Sequence, residues 1–255
     1  MATWDPEAYL QFADERGRPF FDLTLRVLAD RPGLVVDLGC GPGHLTATLA
    51  ERWPQARVHG LDSSVEMIQR AQRLRTAQVT YAVADIAQWR PSEQVDVLVS
   101  NATFQWVPGH RQLLPRMVGA LAPAGWLAFS VPGNFDQPSH RLLRELAADA
   151  RFADHTRSVA YPMAFDAASY LGDLAALGCR VEAWETTYLH VLSGGDPVFR
   201  WISGTGARPV LQSLPEGRRA EFEDEYKALL RQAYPAQLHG TVLPFRRVFV
   251  VAQRG

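Results

Sequence analysis

The stretch Val35-Val36-Asp37-Leu38-Gly39-Cys40-Gly41-Pro42-Gly43 constrains this chain more than any other. A short, mostly apolar run carrying one acid reads as a strand and stops at three glycines spaced two apart. The run Leu45-Thr46-Ala47-Thr48-Leu49-Ala50 that follows reads as a helix. Strand, glycine loop and helix in that order make a nucleotide-binding crossover, in which missing side chains let a ligand lie against backbone. Three glycines so close together cost chain entropy. They are expected to serve a ligand rather than packing.

Two details argue against NAD. The dinucleotide fingerprint needs glycines at the first, third and sixth loop positions. Here the sixth position is His44, and the third glycine comes early, at Gly43. Asp37 matters more, because a carboxylate two residues before the first glycine would repel a pyrophosphate seated on the helix N-terminus. It suits a ligand with an ammonium group and no phosphate. S-adenosylmethionine, with its zwitterionic amino-acid end, sulfonium and adenosine, is such a ligand.

Composition bounds the rest. The 255 residues fit one large domain, 1–255, with an inserted cap, and are enough for a sizeable core. The apolar fraction is 47% and the net charge −1, so no nucleic-acid tract is expected. No apolar run approaches membrane length, and the first residues carry no basic-then-apolar leader pattern. Cys40 and Cys179 offer neither a disulfide framework nor metal spacing, which points to a reducing cytoplasm. Lys227 is the only lysine, so the many arginines reflect a general bias and do not by themselves mark an anion site.

Residues 1–29 precede the first strand and read as an N-terminal helical flap opened by Asp5-Pro6. Tyr9, Phe12 and Phe20 supply apolar surface, and Arg16 and Arg18 flank Gly17. Such a segment either covers one face of the sheet or closes over the cofactor. After the glycine loop, Arg57 to Asp62 reads as a second strand ending in an acid, about 20 residues on, where a carboxylate can accept from both ribose hydroxyls. Ser63-Ser64-Val65-Glu66 is expected to act as a capping box for the next helix. Met67, on its first turn, either packs on the adenine or fills core.

Val79 to Ala84 reads as a third strand running into Asp85-Ile86. Asp85 is positioned to accept from the adenine amino group, with the next backbone N–H donating to a ring nitrogen; the alternative is a turn cap. Val95 to Ser100 is a fourth strand, interrupted by Asp96 near its start, and it leads into Asn101-Ala102-Thr103-Phe104-Gln105-Trp106. That segment falls at the switch point of a doubly wound sheet, where ligands sit. Gln105 and Trp106 are therefore candidates to face the acceptor, although Trp106 serves equally as core. A fifth strand spans Trp126 to Val131. Helical patterns follow around His140 to Ala150 and from Asp166 to Leu177, and strand patterns at Arg180 to Val191 and Arg247 to Ala252. His140 reads as a surface or capping residue. Residues 193–244, between the last two strands, form a mostly helical insertion carrying Trp201, Thr205 and Arg208, and are expected to make a lid.

Together the glycine loop, Asp62, Asp85-Ile86 and Asn101 resemble the class I S-adenosylmethionine-dependent methyltransferases. More narrowly, the whole chain resembles the trans-aconitate 2-methyltransferase family. Trp4-Asp5-Pro6, Tyr9-Leu10, Phe12-Ala13, Glu15-Arg16 and Arg18-Pro19 carry that likeness at one end. Asn101-Ala102, Gln105-Trp106, Thr186-Thr187-Tyr188, His190, Thr205-Gly206 and Arg208-Pro209 carry it through the rest. The resemblance implies a Rossmann-like α/β fold with a seven-stranded, mostly parallel sheet in the order 3-2-1-4-5-7-6, the last strand antiparallel. It implies that Asp37, Gly39, Cys40, Gly41, Gly43, Asp62, Ser63, Met67, Asp85, Ile86 and Asn101, with Tyr9 and Arg16 from the flap, bind the cofactor. Arg18, Gln105, Trp106, Tyr188, Trp201 and Arg208 are the corresponding acceptor candidates.

The implied reaction is methyl transfer to a carboxylate of trans-aconitate, or a related small polycarboxylate, giving a monomethyl ester. A carboxylate with a pKa near 4 is already ionised at neutral pH, so the reaction needs no general base. No catalytic acid, base or metal ligand is assigned. Two alternatives remain at this level: a hydroxyl or amine methyltransferase using His110, His140 or His190 as base, and a non-catalytic cofactor-binding protein. The sequence does not reveal the oligomeric state.

Overall fold

The computed structural model describes residues 13–255. Ten helices among the described residues are labelled in chain order: α1 (Ala13–Thr24), α2 (His44–Arg52), α3 (Val65–Ala71), α4 (Leu114–Ala120), α5 (Pro138–Ala147), α6 (Ala153–Thr156), α7 (Ala167–Ala176), α8 (Pro197–Ser203), α9 (Arg208–Ser213) and α10 (Glu216–Ala233). The strands are β1 (Leu34–Leu38), β2 (Arg57–Asp62), β3 (Val79–Val83), β4 (Val95–Asn101), β5 (Leu121–Pro132), β6 (Cys179–Leu192) and β7 (Thr241–Arg254). They form one seven-stranded sheet in the order β3-β2-β1-β4-β5-β7-β6. Strands β3, β2, β1, β4 and β5 pair in parallel, and β7 runs antiparallel to β5. The implied topology is the observed one.

The chain divides into two compact units. The larger contains the described residues up to Pro132, together with Ala164–Thr186 and Arg247–Gly255. Its core follows from strand periodicity. Leu34, Val36 and Leu38 leave one face of β1 and meet Leu98, Leu127, Phe129, Val248 and Val250, over which Leu114, Met117 and Val118 of α4 and Tyr170 and Leu174 of α7 pack. All five residues of β1 are buried. Both faces of a parallel strand are covered, which explains why its sequence is a near-continuous apolar run.

Several local expectations are corrected. The fifth and seventh strands extend beyond their apolar centres, to Leu121–Pro132 and Thr241–Arg254. Residues 114–120 are a helix that the sequence reading left unassigned. The N-cap of α3 is Ser64, whose hydroxyl accepts from Met67 N at 3.2 Å, so Glu66 sits one position too early to close a Ser63–Glu66 box. Instead the Ser64 hydroxyl donates to Glu66 Oε2 at 2.8 Å.

The smaller unit contains Gly133–Met163 and Thr187–Arg246. Phe222, Tyr226 and Leu230, spaced four apart, form the buried stripe of α10. Phe222 meets Phe152 edge-on at 5.0 Å, and the Tyr226 hydroxyl donates to Ser139 O at 2.6 Å. His140, expected at the surface, is buried here, and burial pushes its pKa down to about 4. A Cβ on Gly206 would lie 2.8 Å from its Nε2, so only glycine lets the turn before α9 approach this ring.

Asp96, which seemed to interrupt the fourth strand, has a structural task. Its Oδ2 accepts from Gly33 N at 2.7 Å and Leu34 N at 2.9 Å, and so fixes the start of β1. Asp96→Ala is expected to cost roughly 1–3 kcal/mol and to lower the thermal midpoint by a few degrees. Calorimetric melting of both proteins checks this; equal midpoints would mean that the two bonds contribute nothing.

Candidate functional site

In the larger unit the loop between β1 and α2 folds over the carboxyl ends of the central parallel strands. Its three glycines all have positive φ, but their reasons differ. A Cβ on Gly39 would lie 2.0 Å from Thr103 Oγ1, and one on Gly43 would lie 2.8 Å from both Ala71 Cβ and Tyr81 Cε1. A Cβ on Gly41 would meet nothing within 4 Å. Packing by itself requires glycine at Gly39 and Gly43, whereas Gly41 alone faces open space.

That space is a cleft lined by Asp37, Gly39, Cys40, Gly41 and Asn101, five of the residues expected at the cofactor. Phe20, Pro42, His44 and Leu45 complete it. Asp37 is 2% exposed, and Thr46 donates to its Oδ2 at 2.6 Å. Thr46 lies beyond the glycine loop in α2, and no local pattern announces the pair. Burial, partly offset by the Thr46 bond and reinforced by Asp62, raises the Asp37 pKa to about 7. Burial also pushes the Cys40 thiol far up, so it stays protonated and inert.

Asp62 anchors the loop from the end of β2. Its Oδ2 accepts from Gly41 N at 2.9 Å and its Oδ1 from Ser64 N at 2.8 Å. Burial raises its pKa, and those backbone bonds oppose the rise. Among the lining residues of the cleft, the one carboxylate has no cationic side chain beside it, because burial keeps His44 below its ordinary pKa. Such a cleft favours a cationic ligand over a phosphate.

The segment after β4 is pinned on two sides. Ala102 adopts a left-handed conformation with φ 56, and its N–H donates to Ser130 O at 2.8 Å. The Ser130 hydroxyl donates to Asn101 Oδ1 at 2.6 Å. Gln105 turns back on its own chain, with Nε2 donating to Ala102 O at 2.6 Å, and Phe104 packs 5.1 Å from Phe129 in the core. A non-glycine residue in that conformation costs about 1 kcal/mol or more and persists where its surroundings fix it.

The remaining expected residues lie around or apart from the cleft. Met67 and Ile86 are buried, whereas Ser63 and Asp85 are exposed. Asp85 Oδ1 accepts from Ala87 N at 2.8 Å, so it does cap its turn. Arg18 is exposed on α1, and Trp106 is half-buried in the turn after β4. Tyr188, Trp201 and Arg208 belong to the smaller unit. There Trp201 lies 4.6 Å from the His190 ring, which stacks on Tyr188 at 6.1 Å, and Arg208 opens α9. Tyr9 and the side chain of Arg16 fall outside the described residues. Thr46 and Thr103 become significant only through contacts distant along the chain, and the sequence marks His44 only as the departure from the dinucleotide fingerprint.

A methyltransferase domain family model matches residues 35–125. Solved structures with the same fold include the YcgJ protein of Bacillus subtilis, with a TM-score of 0.58 at 12% identity over 93% of this chain and 98% of that one. A Haemonchus contortus phosphoethanolamine N-methyltransferase 2 in complex with S-adenosyl-L-methionine has a TM-score of 0.57 at 16% identity, over 93% of this chain and 53% of that one. The fold is that of the class I methyltransferases, and the family model covers the stretch that carries the glycine loop.

The relatives are more particular. A trans-aconitate 2-methyltransferase of Streptomyces avermitilis is 52% identical over 100% of this chain and 98% of its own length. One from Mycobacterium sp. strain KMS is 49% identical over 99% and 100%. The chain belongs to the trans-aconitate 2-methyltransferase family.

The Asp37 environment predicts a pH effect on the ligand-free protein. An acid whose pKa is about 7 folded and about 4 unfolded keeps its proton in the folded state alone between those values. Its contribution therefore favours folding below pH 4 and is lost as pH rises to 7, on the order of 4 kcal/mol. Asp37→Asn, which keeps an acceptor for Thr46, is expected to gain stability relative to wild type between pH 5 and 8. Denaturant midpoints across that range test it, and parallel curves would refute the assignment.

Proposed function

We propose that this chain transfers a methyl group from S-adenosyl-L-methionine to a carboxylate of trans-aconitate, or of a closely related small polycarboxylate, to give a monomethyl ester. The observation that carries the reading is identity of about half over essentially the whole of both chains to trans-aconitate 2-methyltransferases. Two free cysteines, one of them deep in the cleft, support a reducing cytoplasm as the place of action. Among the described residues no helix is long and apolar enough to cross a membrane.

The residues at the cleft fit the cofactor. Asp37 would face its ammonium group, Gly41 would let it lie against backbone, and the lone pairs that Asp62 keeps beyond its two backbone bonds would accept from the ribose hydroxyls. Asn101, Cys40 and Gly39 would wall the sulfur end, with Ser63, Met67, Asp85 and Ile86 toward the adenosine. Tyr9 and Arg16 stay candidates from the N-terminal segment. When bound, the cofactor supplies a methyl group already activated on a sulfonium.

The protein's share is positioning and charge. Both ring nitrogens of His110 are engaged internally, one 2.7 Å from the Tyr170 hydroxyl and the other 3.3 Å from Val107 O. His140 is buried in packing. Both facts argue against His110 and His140 as the base. Holding an acceptor in line, free of water, accounts for several kcal/mol of barrier lowering. Arg208 and Arg18 are the proposed partners of the carboxylates that are not methylated, since a planar guanidinium matches carboxylate geometry. Arg208 occupies the first turn of α9, the end where a helix disfavours a cation, which supports a task other than helix stability. Gln105, Trp106, Tyr188 and Trp201 would shape the acceptor's surroundings.

Labelled S-adenosylmethionine offered with a panel of polycarboxylates tests the reading, which requires a base-labile labelled product. Asp62→Ala is expected to weaken S-adenosylhomocysteine binding by roughly 1.5–3 kcal/mol, and Gly41→Ala to weaken it while melting within a few degrees of wild type. Unchanged calorimetric affinity in both would place the cofactor elsewhere. Single-turnover rates at saturating acceptor are expected to be flat from about pH 6 upward, and a limb centred near 6.5 would restore a histidine base. Arg208→Lys keeps the charge but loses the fork. It is expected to raise the acceptor KM at least tenfold, about 1.4 kcal/mol, with cofactor affinity unmoved.

A further inference from the structure

One polar group in the cleft stands apart from the rest. His44 lines it beside Asp37, and its Nδ1 is shut off from solvent with no hydrogen-bond partner among the described residues. A buried ring nitrogen in that state costs the protein about 1–3 kcal/mol, and proteins rarely leave such a group unmatched without a reason. Its neighbours explain what is missing. His44 opens α2, and the N-cap residue, Gly43, has no side chain to satisfy the first-turn N–H groups. No acidic residue stands in that turn. The whole corner therefore presents donors and a positive helix end, with no capping side chain among the described residues to receive them.

An amino acid end has two poles. Among the described residues Asp37 is the only carboxylate lining the cleft, and it suits the ammonium. The carboxylate pole then needs donors, and the helix end beside His44 repels a cation and attracts an anion. We infer that His44 is a specificity-determining residue for the amino-acid end of the cofactor, donating from its Nδ1–H to the carboxylate while Asp37 holds the ammonium. Burial favours the neutral ring, which carries one donor and adds no second positive charge near the sulfonium. The inference rests on the cofactor reading above and goes beyond it by assigning the opposite pole to a residue that no glycine-loop pattern specifies. It also explains why the sixth loop position carries a ring in place of the glycine a dinucleotide would need.

The test compares two ligands that share an adenosine thioether and differ only in the amino-acid end: S-adenosylhomocysteine and 5′-methylthioadenosine. Each is titrated calorimetrically into wild type, His44→Leu and His44→Asn, and the ligand-free proteins are melted in parallel. The expected result is at least a tenfold loss of S-adenosylhomocysteine affinity in His44→Leu, partial recovery in His44→Asn, and unchanged 5′-methylthioadenosine affinity in both. Ligand-free His44→Leu is expected to melt no lower than wild type, because it removes an unsatisfied group. Equal losses for the two ligands, or a much lower melting temperature, would overturn the inference by showing that the ring only shapes the loop. Wild-type affinity for S-adenosylhomocysteine retained in His44→Leu would overturn it directly. If wild type itself binds no S-adenosylhomocysteine, the cofactor reading fails, and this inference fails with it.

Discussion

The close approach of Tyr81 to two glycines is the contact on which the cleft depends. A Cβ on Gly60 would stand 2.6 Å from the Tyr81 ring and one on Gly43 would stand 2.8 Å from it, while the Tyr81 hydroxyl donates to Gly43 O at 3.0 Å. One residue of β3 thus presses on β2 and holds the far end of the glycine loop. On the other side Thr103, from the turn after β4, packs on Gly39. The loop is clamped between its neighbours, and Gly41 at its middle is the part left facing outward. A preorganised backbone of this kind loses little entropy when a ligand arrives.

Buried acids set the chemistry of the clamped loop. Asp37 and Asp62 approach it from the carboxyl ends of adjacent strands, and among the described residues neither is hydrogen-bonded to an arginine or lysine. A hydroxyl and backbone N–H groups hold them instead. These bonds orient the carboxylates without neutralising them, so the field in the cleft stays suited to a cationic ligand. The same logic separates this site from a phosphate-binding crossover, in which the helix end receives the anion directly. Here the helix end and the acid face one cleft, and a zwitterion answers both.

Much of this was legible in the chain. Strand periodicity gave the sheet's central strands to within a few residues, because strands buried on both faces read as unbroken apolar runs. The glycine loop falls between a strand and a helix and Asp62 ends β2, as the sequence implies, because turn and strand-end chemistry is local. What escaped was set by partners far apart in sequence. Asp96 looked like an interruption until Gly33 and Leu34 were seen donating to it. His140 looked like a surface residue until Gly206 was found against it. The cap of α3 moved by one residue, from Ser63 to Ser64, because two adjacent serines offer the same hydroxyl and only backbone geometry chooses between them.

By itself the sequence determined the α/β class and the crossover, since each is encoded in residues that are neighbours along the chain. Full-length likeness to one family added the strand order. The tertiary structure alone decided which glycine is free for a ligand and which two are packing requirements. It alone paired Thr46 with Asp37, and it alone left the His44 ring nitrogen buried and unmatched. The physical reason is that steric clearance and desolvation depend on what is brought near from elsewhere. A glycine's neighbours and a histidine's missing partner have no local signature.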